Sequence, residues 1–369
     1  MTGTPAVATA PFAWGPPPAR DLPEALLSAA PGASAVAVGL YRRGQRSFAV
    51  RGSTAFGGGV PVEPSTRFEI GSLTKTFTAL LFAELAARGD VGHHDPAARH
   101  LPPGTSVPVR GTEITLTHLA THTSGLPRLP PGLLRSALGR LMANPYAGFG
   151  RADVLRALAR TRLRSRPGDR VHYSNFGVGI LGHALCGADG GVPYEDLLAA
   201  RVLRPLGLHD TSATPGPPPG STQVTGYWHH HPRPPFAIPG LPGAGAVRSS
   251  AQDLLTFAEA LISPGTAAVT GVPSAPLRTA LEDVVRPRLV LPRSTSRLAL
   301  IWNIRPRADA SGLYHHSGGT RGCTAFVGFS IRHDTALVAL ANCASGPGNT
   351  LVQQAYETLS GLVRERIGG

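Results

Sequence analysis

Residues 68–77 read Phe-Glu-Ile-Gly-Ser-Leu-Thr-Lys-Thr-Phe and lead into a strongly patterned helix. Gly89 supplies a stop signal, and the apolar residues before it recur at helical spacing: Leu73, Phe77, Leu80, Leu81 and Leu85. Lys75 is the single lysine in a chain whose Lys and Arg residues total 35. Arg stays protonated in proteins, whereas Lys can act as a base when its surroundings lower its pKa. Ser72 and Lys75 are therefore the candidate chemical centre.

The predicted helix places Ser72 at its N-terminus, where free backbone N–H groups and the positive end of the dipole favour a developing negative charge. Residues three apart share a helix face, so the Lys75 amine is within reach of the Ser72 hydroxyl. Alone, Ser-x-x-Lys is a short pattern that average composition produces about once in a chain of this length. The pair needs partners elsewhere in the chain.

Composition favours a globular protein. The 369 residues allow one large or two ordinary domains, and a hydrophobic content of 42% is sufficient for a core. A net charge of +13 suggests a polyanionic partner. The arginines are nevertheless spread from Arg20 to Arg366, and no nucleic-acid-binding module accompanies them. We predict no nucleic-acid function, and the charge is compatible with a mild attraction for anionic substrates.

The cysteines and the termini carry little chemistry. Cys186, Cys323 and Cys343 lie in mostly small or apolar surroundings, which predicts buried hydrophobes rather than a disulfide framework or a metal site. Residues 1–18 have no basic region followed by an apolar run, so no secretory signal is predicted, and no apolar run reaches the length of a membrane span. The location predicted from these features is cytoplasmic.

Patterning along the chain alternates between strands and helices. Strands are predicted at 35–41, 47–51, 298–304, 325–331 and 336–342. Helices are predicted at 23–29, 114–121, 133–141, 152–159, 176–186, 194–203, 250–262 and 350–364, the seventh opened by a capping box of Ser250 and Asp253. The Pro-rich stretch 215–242 is predicted to be a long loop or lid, and its His229-His230-His231 run a solvated loop rather than a metal site.

This order indicates an α+β protein in which an antiparallel sheet, built from both ends of the chain, is flanked by helices and carries an inserted mainly helical region. The predicted segments are a flexible N-terminus (1–18), a sheet-plus-helix region (19–75 and 243–369) and a mainly helical insert with the Pro-rich loop (76–242). Together they form one catalytic domain. Active sites commonly lie in the cleft between such parts.

Two further motifs complete the pattern: Tyr173-Ser174-Asn175 and His316-Ser317-Gly318-Gly319, the latter placed just before a predicted strand. The order Ser-x-x-Lys, Tyr-x-Asn, His-x-Gly resembles the serine β-lactamase and penicillin-binding-protein-like superfamily, and it is most similar to the branch of class C β-lactamases, DD-peptidases and related esterases. Residues 121–127 and 243–253 are also similar to segments of that branch. The resemblance covers the chain from about Ala35 to the C-terminal helix and implies a β-lactamase-like fold.

The resemblance implies an acyl-enzyme mechanism without a cofactor or metal. Ser72 would be the nucleophile, with Lys75 and Tyr173 sharing the role of base. Asn175 would hydrogen-bond Lys75 or the substrate amide. His316 and Gly318 would contact the substrate, and the backbone N–H groups of Ser72 and Gly319 would form the oxyanion hole. His118 and His122 are interpreted as structural.

One departure from the β-lactamase pattern is informative. The third motif is usually Lys-Thr-Gly, and here it is His316-Ser317-Gly318. The Lys supplies a fixed positive charge for a β-lactam carboxylate, which a His supplies only partly at neutral pH. We therefore expect a serine hydrolase or acyltransferase acting on a small ester, amide or D-amino-acid-containing substrate. A β-lactamase or DD-carboxypeptidase, and a non-catalytic ligand-binding protein, remain alternatives. The oligomeric state is not predicted.

Overall fold

The computed structural model describes residues 8–9, 22–136, 144–265, 274–292 and 294–364. Its strands are β1 Ala8–Thr9, β2 Ala35–Arg42, β3 Gln45–Gly52, β4 Arg67–Glu69, β5 Gly226–Trp228, β6 His231–Arg233, β7 Arg248–Ser250, β8 Leu289–Val290, β9 Arg297–Leu298, β10 Asn303–Pro306, β11 Gly312–Gly319, β12 Thr324–Ser330 and β13 Thr335–Ala341. Its helices are α1 Leu22–Ser28, α2 Thr74–Arg88, α3 Leu116–Ala120, α4 Leu133–Ser136, α5 Arg151–Ala159, α6 Asn175–Ala188, α7 Tyr194–Leu198, α8 Pro242–Gly245, α9 Ala251–Ile262, α10 Ala275–Val284 and α11 Leu351–Leu362.

One antiparallel sheet joins the two ends of the chain. Over the described residues its nine strands follow the order β1-β3-β2-β13-β12-β11-β10-β9-β8. Strands β12 and β13 are buried along their whole length, because helices cover both faces of the sheet. Side chains alternate between the faces, so that Val36 and Val38 pack towards α1 and α11 while Ala35 and Ala37 belong to the opposite core. This α+β architecture confirms the predicted fold class.

Helix α2 lies at the centre of the other core. It is buried from Thr74 to Leu85 and packs against α6, α8 and α10. A 3₁₀ turn over Gly71–Leu73 precedes it and contacts β11 and β12. The helix start is thus held directly against the sheet. The division of the chain at residues 75 and 243 stays a prediction.

Several elements differ from the patterns of the sequence. The stretch predicted as one strand at 298–304 is split into β9 and β10 around Ile301, whose φ is 66° and whose N–H donates to Ala120 O. The predicted loop 215–242 contains the hairpin β5–β6, and His229 and His230 occupy its turn with φ of 47° and 64°, as a type I′ turn requires. The helix predicted over 133–141 is observed as α4, and its remainder lies outside the described residues.

Three smaller differences concern element ends. Ser250 caps α9 by accepting from Asp253 N, but the Asp253 carboxylate accepts from Asp210 N and the Thr211 hydroxyl instead of closing a capping box. The predicted helix 114–121 is shortened to α3. Of the N-terminal segment predicted to be flexible, Ala8–Thr9 pairs with β3, and the rest lies outside the described residues.

Candidate active site

The start of α2 and the end of β11 approach each other at backbone distance. Gly71 has a φ of 49°, and a Cβ at this position would lie 2.4 Å from Gly319 O. A Cβ on Gly318 would lie 1.9 Å from Ile70 O. Side chains at either position would separate the two segments, because real Cβ atoms do not approach so closely. The glycines therefore set the distance between Ser72 and the third motif.

Two polar side chains converge on the Ser72 hydroxyl. Lys75 Nζ donates to Ser72 Oγ at 2.9 Å, and the Tyr173 hydroxyl donates to the same atom at 2.7 Å. Lys75 Nζ also donates to Ala244 O at 2.7 Å, so the segment 243–253 contributes to the site as well as the helix does. Lys75 Nζ lies 5.1 Å from the centre of the Tyr173 ring. The structure thus brings the first and second motifs into direct contact.

Lys75 is a fully buried lysine. Its side chain is 0% exposed. Burial lowers the pKa of the amine, the hydrogen bond and charge interaction with Tyr173 oppose that shift, and the charge of Arg128 adds to it. Removal from water favours the uncharged amine, which is the form that can accept a proton.

Tyr173 is positioned by the loop that precedes α6. The Ser174 hydroxyl caps α6 by accepting from Gly177 N at 2.8 Å and donates to Pro127 O at 2.7 Å. His122 Nδ1 accepts from Ser174 N at 3.3 Å, and its ring lies 4.6 Å from the Tyr173 ring. His122 therefore supports the tyrosine, as the structural interpretation of this histidine expects. His118 likewise bonds backbone: its Nδ1 accepts from Thr115 N at 3.2 Å.

Asn175 lies at the first position of α6, beside the cleft. Its amide nitrogen donates to the Tyr146 hydroxyl at 3.3 Å, and its Oδ1 is buried without a hydrogen-bond partner in the described part of the chain. Of the two predicted partners of Asn175, Lys75 is not in hydrogen-bond contact within this part of the chain. A hydrogen bond to a substrate amide stays a prediction.

His316 lies inside β11, paired with Val327, rather than ahead of a strand as the sequence predicted. The side chain is 5% exposed, and its Nδ1 has no hydrogen-bond partner among the described residues. Burial, followed by the charge of Lys75, lowers the pKa of His316 to about 3. The imidazole is therefore neutral at physiological pH. The third motif provides no fixed positive charge at all, where the sequence indicated a partial one.

Two cavities meet at Ser72 and Gly319. The first has a volume of about 440 Å³ and is lined by polar groups that include Arg128, Tyr173, Asn303, His316 and Ser345. The second, of about 260 Å³, is bounded by the aromatic and apolar side chains of Tyr146, Phe236 and Ile238 together with Asn175 and Arg321. A substrate held at Ser72 can thus extend in two directions.

Glu69 connects the walls of this cleft. Its Oε1 accepts from Phe236 N at 2.6 Å and its Oε2 accepts from the Thr320 hydroxyl at 2.7 Å. Arg248 Nη2 lies 3.7 Å from Oε1. Because Thr320 follows Gly319, this carboxylate couples the position of β11 to that of the second cavity. Sequence patterns gave no signal for it beyond its place just before Ser72.

The remaining sequence candidates form no second site. The three cysteines are buried and free. In the described ranges, no cluster of three His, Cys, Asp or Glu side chains could hold a metal ion. None of the helices that the structure describes combines the length and the apolar character needed to cross a bilayer.

Fold and site together define a class: an α+β fold with a Ser-x-x-Lys centre at the start of a buried helix. The family model described as "Beta-lactamase" matches residues 24–359. The chain therefore belongs to the β-lactamase family.

Named relatives support this assignment. The D-alanyl-D-alanine-carboxypeptidase/endopeptidase AmpH of Escherichia coli K12 is 36% identical over 187 residues, which are 50% of this chain and 47% of AmpH. The chain thus matches about half the length of AmpH. A β-lactamase of the same organism is 27% identical over 328 residues, or 82% of each chain.

Solved structures share the fold. The β-lactamase/D-alanine carboxypeptidase from Yersinia pestis superposes with a TM-score of 0.75 at 22% identity, covering 92% of this chain and 96% of that one. The class C β-lactamase from Rhodobacter sphaeroides gives a TM-score of 0.73 at 23% identity over 93% and 99% of the two chains. The β-lactamase-like fold is confirmed.

Proposed function

We propose that this protein hydrolyses or transfers acyl groups from a small ester, amide or D-amino-acid-containing substrate through an acyl-enzyme on Ser72. The observation that carries the proposal is the convergence of Lys75 Nζ and the Tyr173 hydroxyl on Ser72 Oγ, at 2.9 and 2.7 Å. A serine hydroxyl is a weak nucleophile until an adjacent base takes its proton. A buried lysine beside it is suited to that role.

The geometry supports a two-step reaction. Ser72 Oγ attacks the substrate carbonyl carbon while its proton passes to neutral Lys75. In the proposed reaction the backbone N–H groups of Ser72 and Gly319 donate to the oxygen that becomes negative, and one such donor typically contributes about 3 kcal/mol. The bond to the leaving group then breaks as the Tyr173 hydroxyl gives its proton to that group, and the protonated Lys75 amine gives a proton back to Tyr173. Water or another acceptor attacks the acyl-enzyme and restores Ser72.

Relatives and charge distribution narrow the substrate. AmpH is named for D-alanyl-D-alanine peptides, and several other relatives are named β-lactamases. The neutral state of His316 removes the cation that a β-lactam carboxylate would meet at the third motif. We therefore favour ester or peptide acyl transfer, including the carboxypeptidase type, over efficient β-lactam hydrolysis. A non-catalytic role would leave the buried Ser72–Lys75–Tyr173 contacts without a purpose.

The test is a substrate panel on purified wild type, Ser72→Ala and the exposed-serine control Ser28→Ala. The panel contains p-nitrophenyl esters, a D-alanyl-D-alanine peptide and the chromogenic β-lactam nitrocefin. We expect turnover of an ester or the peptide that disappears in Ser72→Ala and persists in Ser28→Ala. Turnover that Ser72→Ala leaves at the wild-type rate would contradict the proposal, and nitrocefin hydrolysis at comparable efficiency would restore the β-lactamase alternative.

The location of the protein and its binding partners are also proposals. We also propose a cytoplasmic location and no nucleic-acid partner, and both proposals rest on sequence patterns alone. Fractionation of cells that produce the tagged chain would test the first, and the second would be contradicted by salt-sensitive DNA or RNA binding.

A further inference from the structure

The larger cavity beside Ser72 contains one permanent positive charge. Among the described residues that line it, Arg128 is the single Lys or Arg. The two histidines of the lining, His315 and His316, have pKa values lowered by burial to about 4 and about 3, so both are neutral at physiological pH. A guanidinium remains charged throughout this range. An anion that enters this cavity therefore meets Arg128.

The backbone of Arg128 is fixed, and its side chain is exposed. The Arg128 carbonyl accepts from Asn175 N at 3.0 Å and from Phe176 N at 3.2 Å, which ties its backbone to the start of α6. The guanidinium carbon lies 5.3 Å from the centre of the Tyr173 ring, a cation–π distance. Within the described ranges no carboxylate forms an ion pair with it. The planar fork of donors can bind a carboxylate with two hydrogen bonds.

Tyr173 indicates which part of the substrate faces Arg128. This tyrosine lines the larger cavity and not the smaller one, which is bounded by Tyr146, Phe236 and Ile238. The proton donor to a leaving group must lie on the leaving-group side of the scissile bond. The leaving group therefore occupies the cavity of Arg128, and the acyl part occupies the apolar one.

We propose that Arg128 binds a carboxylate carried by the leaving group and makes the enzyme selective for substrates that end in a carboxylate, such as peptides or depsipeptides with a free C-terminus. The inference rests on the proposed acyl-enzyme function. It assigns a carboxylate-binding role to a residue outside the three motifs, while the third motif itself stays uncharged.

The experiment compares two aryl esters with one acyl group, of which the first bears a 3-carboxylate on its leaving phenol and the second a 3-carboxamide. For Arg128→Gln we expect kcat/KM of the carboxylate ester to fall about ten- to hundredfold, the range of a charge-assisted hydrogen bond. The carboxamide ester makes no ion pair, so any change in its turnover reports the loss of the Arg128 charge beside Lys75 and Tyr173. The readout is therefore the ratio of the two kcat/KM values, which should fall about tenfold or more. Arg128→Lys should recover part of the loss by restoring the charge without the fork.

Arg135→Gln is the matched control, because it removes the same charge from an exposed position on α4 outside both cavity linings. It should leave the ratio of the two esters unchanged. Measurable turnover of the carboxamide ester shows that Arg128→Gln is folded and acylated, so a loss of selectivity does not reflect a failed mechanism. Equal losses on both esters, or no loss on either, would overturn the inference, whereas turnover of both esters by Ser72→Ala would instead overturn the proposed function.

Discussion

At the scale of single residues, Lys75 shows how sequence and burial combine. The chain has one lysine, and the fold encloses it completely beside the hydroxyl it is proposed to activate. Arginine could form the same hydrogen bonds but could not accept a proton. Because the chain uses arginine at its other basic positions, the lysine at position 75 indicates a need for a side chain that can lose its proton.

Replacing Lys75 tests this requirement. For Lys75→Met, which keeps the length and removes the amine, we expect kcat/KM for a p-nitrophenyl ester to fall at least about a hundredfold, the usual contribution of a general base. Lys75→Arg should be as inactive, because the guanidinium retains its proton. Thermal unfolding of both variants separates this loss from misfolding. A folded Lys75→Met with wild-type turnover would contradict the role of the amine.

The pH dependence follows from the two buried groups. Lys75 must be neutral to act, and burial lowers its pKa from 10.5, so kcat/KM should rise with pH and level off below 10.5. His316, with a pKa of about 3, does not titrate near neutrality, so no step near its usual value is expected. The measurement is kcat/KM of an uncharged ester from about pH 4 to pH 10. His316→Gln should keep the shape of this profile, and the disappearance of a step near neutral pH in that variant would contradict the neutral assignment.

The sequence predicted the site residues that lie in motifs and no others. The structure brings Ser72, Lys75, Tyr173, Asn175 and the 316–319 segment together, although their individual roles remain to be tested. Arg128, Tyr146 and Phe236 were missed. They lie in loops without periodicity, and their approach to Ser72 is decided by the path of the whole chain rather than by local pattern.

At the scale of elements, the sequence predicts α2, α6 and the β2–β3 hairpin because each has a strong local period or turn signal. It does not predict β11, since the His-Ser-Gly-Gly run has low strand propensity and is a strand only because β12 pairs with it. The sequence does not predict the hairpin β5–β6 either, because two histidines occupy turn positions that usually contain Asn or Gly.

The contact between β11 and the start of α2 makes its own prediction. For Gly318→Ala we expect a large loss of kcat/KM, because the added Cβ would lie 1.9 Å from Ile70 O and must push the strand away from Ser72. The matched control is Gly361→Ala in α11, where an added Cβ meets nothing within 4 Å. That change should keep activity and raise stability by up to about 1 kcal/mol, the helix-propensity difference. Full activity of Gly318→Ala would contradict the close approach.

At the scale of the whole molecule, the pairing of β2 with β13 places the first and last parts of the chain in one sheet. The same core buries neutral histidines. His183 donates through Nε2 to Gly240 O at 2.7 Å, and burial lowers its pKa to about 4. In the unfolded chain the pKa is about 6.5, so protonation favours unfolding as the pH falls below that value.

Acid should therefore destabilise the fold. With these two pKa values, the contribution of His183 to the free energy of unfolding is at its full value above pH 6.5. Between pH 7.5 and pH 5 the free energy of unfolding falls by on the order of 2 kcal/mol. Urea unfolding of wild type and His183→Gln at the two pH values is the measurement. The variant should have lower stability at neutral pH and a smaller difference between the two conditions. An unchanged difference would show that His183 is not held neutral.

The central claim is that Ser72 forms the covalent intermediate. Its most direct test is intact-protein mass spectrometry after brief exposure to a serine-directed aryl phosphonate, followed by peptide mapping. Wild type and Ser28→Ala should each gain one adduct on the peptide that contains Ser72, Lys75→Met should gain it far more slowly, and Ser72→Ala should gain none. An adduct on another residue, or equal labelling of Ser72→Ala, would contradict the account.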